Sequence, residues 1–163
     1  MKNDHVDYIL AQWAREKPGL DTSPMAVIGR ISRISRHFDK LLQQFYSQFG
    51  LNGGEFDVLA TLRRSGRPYQ LTPTQLFNSL MLSSGAMTNR LDRLENAGLI
   101  KRTANPDDRR GILVRLTRQG VELMEKAYPA HIANEHQILS ILTGAEREVL
   151  VDLLRKLLLS IED

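Results

Sequence analysis

The sequence contains no cysteine among its 163 residues. This absence excludes disulfide bonds, thiolate metal ligands, thiol redox sensing and catalytic cysteines. The histidines are scattered without metal-ligand spacing, and there is no glycine-rich phosphate loop and no Ser/His/Asp pattern. They are His5, His37, His131 and His136. We therefore expect neither enzymatic activity nor a metal ion or other cofactor.

Long apolar runs are also absent. No stretch approaches the roughly 18 consecutive apolar residues of a membrane span. The N-terminus carries Asp4 and Asp7 where a signal peptide needs a basic and then an apolar segment. We expect a cytoplasmic protein without a membrane partner.

The sequence has little net charge, +3 in total, but the charge is unevenly distributed. Residues 84–118 carry a net charge of +4 and the remaining residues −1. A basic region of this kind is typical of a phosphate-binding surface. The alternative, a solvated charged face, would mix both signs evenly.

Apolar periodicity predicts helices at both ends of the chain. We expect an extra N-terminal helix within residues 1–17, a long helix over 24–50, and helices over 118–163 that are bent or interrupted at Pro129. Thr143 and Glu146 form a capping box that begins the last helix. This helix has more apolar residues than one small domain covers, which predicts contact with a second subunit.

Residues 53–117 have the pattern of a winged helix-turn-helix. Thr72 and Gln75 form a capping box that begins a short helix, and a second helix follows and ends at Gly98. Two strands then flank the basic turn 105–111. The predicted fold is mostly α with a small β-hairpin wing.

The second helix of such a motif enters the DNA major groove with its N-terminal residues. Asparagine can bind adenine, the threonine methyl can pack on thymine, and arginine can reach guanine or phosphate. The alternative is the ordinary solvated face of an amphipathic helix. The predicted contacts are Ser83, Ser84, Thr88, Asn89 and Arg93.

The wing tip places two arginines side by side, which is unfavourable unless an anion compensates their charges. We expect Arg110 to enter the minor groove, Asp108 to orient its guanidinium, and Arg109 to contact the DNA backbone. A solvated cluster of ion pairs is the alternative.

The segment 105–120, Asn-Pro-Asp-Asp-Arg-Arg-Gly-Ile-Leu-Val-Arg-Leu-Thr-Arg-Gln-Gly, together with the preceding 90–102, resembles the MarR family of regulators. The resemblance implies an intertwined obligate homodimer that binds a pseudo-palindromic operator. It also implies that the 28–49 helix and the last two helices form the dimer interface.

Asp57 lies in an otherwise apolar helical segment, where an ionised carboxylate is costly unless it is paired. Arg90 and Arg102 are the candidate partners by topology. Together with Trp13, these residues resemble the set found in the urate-responsive, PecS-like branch of the MarR family.

That resemblance implies that an oxidised purine stacks near Trp13, that Arg102 binds its anionic edge, and that Asp57 is displaced from Arg90. The recognition helix would then move. The alternative is a permanent Asp57–Arg90 ion pair, with Trp13 only fastening the N-terminal helix.

We therefore expect a repressor released by a small aromatic anion such as urate, a related purine or a phenolic compound. Two rival functions are an effector-independent DNA-architectural protein and a winged helix used only for protein contacts.

Overall fold

A computed structural model of the chain describes residues 2–81, 87–106 and 108–162, with Arg109 and Arg110 described by their backbone alone. The chain divides into two compact units, residues 1–53 and 54–163. Each unit is described separately below.

The first unit contains helices α1 (His5–Glu16) and α2 (Ser23–Ser47). Asp4 caps α1 by accepting the backbone N–H groups of Val6 and Asp7. Arg30 of α2 lies 2.9 Å from a carboxylate oxygen of Asp4 and 2.6 Å from one of Asp7. Val6 is buried against α2. The predicted N-terminal helix is therefore present and is fixed to α2.

The second unit contains α3 (Gly53–Arg64) from its second residue onwards, strand β1 (Gln70–Leu71), α4 (Pro73–Ser79) and α5 (Met87–Asn96). The predicted capping box of Thr72 and Gln75 begins α4. Gly98 ends α5 in the left-handed conformation, with φ of +71°. The buried core consists mainly of leucines and other aliphatic residues: Val58, Leu59, Leu62, Leu76, Leu94, Ile100, Val114 and Met124.

Strands β2 (Ile100–Asn105) and β3 (Asp108–Leu116) form the predicted hairpin. The antiparallel sheet has the order β1-β3-β2, so β3 is its central strand. The sequence did not predict β1, whose Gln70 and Leu71 pair with Arg115 and Val114. A two-residue strand has no periodicity to detect.

Helices α6 (Arg118–Ile138) and α7 (Gly144–Glu162) complete the chain. Of the bend or interruption expected at Pro129, the interruption is wrong, because α6 continues through this residue, and the bend remains a prediction. Proline removes one backbone hydrogen bond, and the burial of Met124 and Ala127 stabilises the helix despite that loss. The capping box of Thr143 and Glu146 begins α7 as predicted.

Helix α7 has no buried residue. Its exposed apolar residues are Val149, Leu150, Val151, Leu153, Leu154, Leu157, Leu158, Leu159 and Ile161. None of the helices in the described ranges is long and apolar enough to span a bilayer.

Candidate nucleic-acid interface

Helix α5 presents a polar face to solvent. Thr88, Asn89 and Arg93 are exposed, whereas Leu91 and Leu94 are buried. The predicted DNA contacts require these polar side chains to face solvent while the leucines pack in the core. Ser83 and Ser84 lie outside the described residues, so their predicted DNA contacts remain predictions.

Arg90 lies on the protein side of α5, against the first turn of α3. A Cβ atom added to Gly54 would lie 2.4 Å from Arg90 Nε and 2.6 Å from its Cζ. The guanidinium therefore occupies the space above a glycine, and any larger residue at position 54 would displace it.

Arg93 forms an ion pair that the sequence analysis did not predict. Its Nε lies 2.8 Å from Oε1 of Glu55, whose side chain is only 3% exposed. The signal was present in the sequence, since Glu55 precedes the buried segment that contains Asp57. A buried carboxylate needs a compensating partner, and this requirement holds for Glu55 as well as for Asp57.

Asp57 is buried, as predicted, and contacts the end of the α4 segment. Its Oδ2 accepts the backbone N–H of Met81 at 3.0 Å. Asp57 thus binds the chain two residues after the end of α4. A backbone donor contributes to stabilising this carboxylate, in addition to any cation.

Arg102 at the base of the wing binds two carboxylates of α5. Its guanidinium lies 2.7 Å from Asp92 and 2.6 Å from Glu95, and its backbone N–H donates to Glu95 at 2.8 Å. Among the described residues Asp57 is not a partner of Arg102, so that candidate pairing is wrong. Asp92 and Glu95 share one face of α5, which the register of β2 brings opposite Arg102.

The contacts of this cluster shift the pKa values of Glu95 and Arg102. The backbone N–H of Arg102, and then its guanidinium, hold the pKa of the Glu95 carboxyl below its ordinary value. Hydrogen bonds to Glu95 and Asp92 raise the pKa of Arg102. The base of the wing is therefore fixed to α5 by charged groups.

At the wing tip, the structure describes the side chain of Asp108 but only the backbone of Arg109 and Arg110. Asp108 is exposed on β3, and Arg109 and Arg110 follow it on the same strand. A Cβ at Gly111 would lie 3.0 Å from Asp108 Oδ2, so the carboxylate lies close to the backbone three residues further along β3. The DNA contacts of the two arginines remain predictions.

Trp13 is 43% exposed on α1 of the first unit, whereas Asp57, Arg90 and Arg102 belong to the second unit. Beside Trp13, an open cavity is lined by Leu20, Pro24 and Met25, among others. The combined ligand site therefore remains a prediction. No cluster of potential metal ligands occurs within the ranges that the structure describes.

Comparisons with known proteins identify the family. A model of the MarR family matches residues 51–112. The HTH-type transcriptional regulator PecS of Dickeya dadantii (strain 3937) is 43% identical over 142 residues, which cover 87% of this chain and 86% of that protein.

Solved structures agree with this relationship. A mutant MarR of Escherichia coli, complexed with operator DNA, has a TM-score of 0.72 and 31% identity, covering 85% of this chain and 99% of that one. A second similar structure is that of BpsR of Bordetella bronchiseptica, which concerns regulation of its DNA binding by 6-hydroxynicotinic acid. It has a TM-score of 0.70 and 26% identity, and the match covers 81% of this chain and 98% of that one. The chain belongs to the MarR family of transcriptional regulators.

Proposed function

We propose that this protein is a homodimeric repressor that binds pseudo-palindromic operator DNA and is released by a small aromatic anion such as urate. The observation that carries the DNA-binding part is the exposed polar face of α5, next to a basic β-hairpin. Thr88, Asn89 and Arg93 would read the major groove, and Arg110 would enter the adjacent minor groove.

Dimerisation is supported by apolar surface that the chain leaves exposed. Helix α7 contributes its leucines, and α2 contributes Val27, Ile28, Ile31, Ile34 and Leu41. Exposed apolar patches of this extent mark protein interfaces. A two-fold dimer would present two copies of α5 to two half-sites, which requires an inverted repeat.

An effector response is supported by the charged groups around α5. Arg90, on the recognition helix, rests on α3, and Asp57 of α3 binds the chain before α5. An anion that draws Arg90 or Arg102 away from its contacts would change the position of α5. The regulation of BpsR DNA binding by 6-hydroxynicotinic acid, an aromatic acid, supports an effector of this chemical class for the present chain.

Selection of DNA from a random duplex library with the full chain tests the first part. We expect an enriched inverted repeat with half-site centres about one helical turn, roughly 10 base pairs, apart. Enrichment of no sequence, with equal binding to all duplexes, would instead favour a DNA-architectural protein.

Titration of the protein–operator complex with urate, xanthine and salicylate tests the second part. We expect urate to release DNA, and Trp13→Phe to need more urate while keeping the operator affinity of the parent chain. Asp57→Asn should weaken operator binding without any effector, because a neutral amide holds its partners less strongly. Release at the same urate concentration from the parent and both variants would remove these residues from the effector site.

A further inference from the structure

Glu55 is a buried acidic residue directly behind the exposed face of α5. It lies in the first turn of α3, and its side chain is 3% exposed. Burial of a carboxylate is costly unless charges or hydrogen bonds compensate it. One compensating group is the guanidinium of Arg93, at 2.8 Å, whose side chain is 68% exposed.

The contact is made through Nε, the inner nitrogen of the guanidinium. The contact is an ion pair by its N–O distance and not a hydrogen bond from the Nε–H to Oε1, so charge attraction holds the guanidinium beside Glu55. The guanidinium has four further N–H donors besides the Nε–H. The Arg93 side chain is 68% exposed, so its guanidinium is accessible from solvent while the buried carboxylate of Glu55 attracts it from the protein side.

A second contact between α5 and α3, that of Arg90 with Gly54, also restricts the movement of α5. Arg90, one helical turn before Arg93, lies over Gly54, next to Glu55. Two arginines of α5 therefore rest on two consecutive residues of α3. This arrangement limits rotation of α5 about its own axis.

We propose that Glu55 is a positioning residue for DNA recognition, which holds Arg93 in the orientation that contacts the operator. The proposal rests on the proposed function of α5 as the recognition helix. Without Glu55, Arg93 would sample many rotamers in the free protein, and binding would have to order it. The buried acid thus acts on DNA through the arginine and does not touch the DNA.

The proposal predicts a change in operator affinity opposite in sign to the change expected from charge repulsion alone. An acidic group near DNA repels phosphates, so neutralising it should strengthen binding or leave it unchanged if its role is only structural. A positioning role predicts that neutralising Glu55 weakens binding. The sign of the change therefore separates the two roles.

The experiment compares Glu55→Gln with Glu122→Gln on the operator obtained by selection, at one fixed salt concentration. Glu122 is exposed and pairs with Arg118 at 2.7 Å, so both substitutions remove one negative charge from an arginine partner. We expect Glu55→Gln to raise the operator Kd about tenfold, the effect of losing one charge-assisted contact. Glu122→Gln should stay within about twofold of the parent.

A double-mutant cycle with Arg93→Ala identifies the pathway of the effect. Glu55→Gln should have no further effect on operator Kd in the Arg93→Ala background. Independent, multiplicative effects would overturn the proposal, as would unchanged or tighter binding by Glu55→Gln.

Arg93→Lys keeps the test available if Glu55→Gln does not fold, because position 93 is exposed. Lysine has a single side-chain nitrogen, whereas the guanidinium of arginine can contact Glu55 with one nitrogen and DNA with the others. We therefore expect Arg93→Lys to lose as much operator affinity as Arg93→Ala. Parental affinity of Arg93→Lys would also overturn the proposal. Failure of the parent chain to select any operator would instead reject the function proposed for α5.

Discussion

Gly120 stands where the wing joins α6, and its position depends on the absence of a side chain. A Cβ atom there would lie 2.1 Å from the carbonyl oxygen of Leu99. The Gly120 N–H donates to Thr117 Oγ1 at 3.0 Å, and the Thr117 hydroxyl donates to Gly98 O at 2.6 Å. The clash is with backbone that this network holds in place, so it cannot be relieved by a change of rotamer.

Gly120→Ala should therefore lower the free energy of unfolding by about 2–4 kcal/mol, the range for forced backbone shifts in packed regions. Urea denaturation followed by circular dichroism measures the change. The matched control is Gly144→Ala, at the start of α7, where an added Cβ meets no atom within 4 Å. Equal stability of the two variants would show that the Leu99 carbonyl can move at little cost.

Single residues were predictable where burial alone decided their environment. Asp57 had to be buried and bonded because apolar residues surround it in the sequence, and the structure agrees. The partners of Arg102 were not predictable in the same way. They depend on the register that places β2 beside Asp92 and Glu95, and a hairpin sequence does not specify which helix face it meets.

At the scale of secondary-structure elements, the wing is attached to α5 by the Arg102 cluster. Glu95 has a folded-state pKa below its ordinary value of 4.5. Its contribution to stability is therefore complete above pH 4.5 and is lost as the pH falls through the lowered folded value. Protonation would release one of the carboxylates that hold the wing.

We expect Glu95→Gln to be less stable than the parent at neutral pH and the difference to shrink below pH 4.5. Urea unfolding at a series of pH values measures it. Asp152→Gln, which removes an exposed carboxylate paired with Arg155 on α7, serves as the control. A constant difference between parent and Glu95→Gln at every pH would argue against the charged interaction.

Helix α7 makes a prediction about assembly. Leu154→Glu places a charge on a helix whose apolar residues are all exposed in the single chain, so it should convert the dimer to a monomer while the subunit stays folded. Lys156→Gln changes the formal charge equally, on the same helix, and should remain dimeric. Light scattering at micromolar concentration distinguishes the two, and a dimeric Leu154→Glu variant would place the interface elsewhere.

Helices α4 and α7 were predictable because a capping box marks the start of each. Thr72 with Gln75, and Thr143 with Glu146, both mark observed helix starts. Strand β1 and the continuity of α6 at Pro129 were not predictable. Both depend on packing between elements distant in the sequence, which local patterns do not contain.

For the whole molecule, the net charge of +4 in residues 84–118 concentrates DNA attraction on one region. Arg110→Ala should weaken operator binding by about 1–3 kcal/mol without lowering the unfolding temperature, since position 110 lies at the wing tip. Fluorescence anisotropy at several salt concentrations measures this change. Arg155→Ala, in α7, removes the same charge outside that region and should leave operator affinity unchanged. Loss of affinity by both variants to the same extent would indicate a general charge effect.

The order β1-β3-β2 has a further consequence for how operators can vary. β1 leads directly into α4, β2 follows α5, and both pair with the same central strand. The sheet thus holds the hairpin and α5 at a fixed separation, because moving them apart would break strand pairing on one side of β3 or the other. If α5 and the hairpin both contact one half-site, as proposed, the base pairs that they touch must keep a constant separation. Any tolerance to inserted base pairs must come from the spacing between half-sites, where two subunits rather than one sheet set the distance.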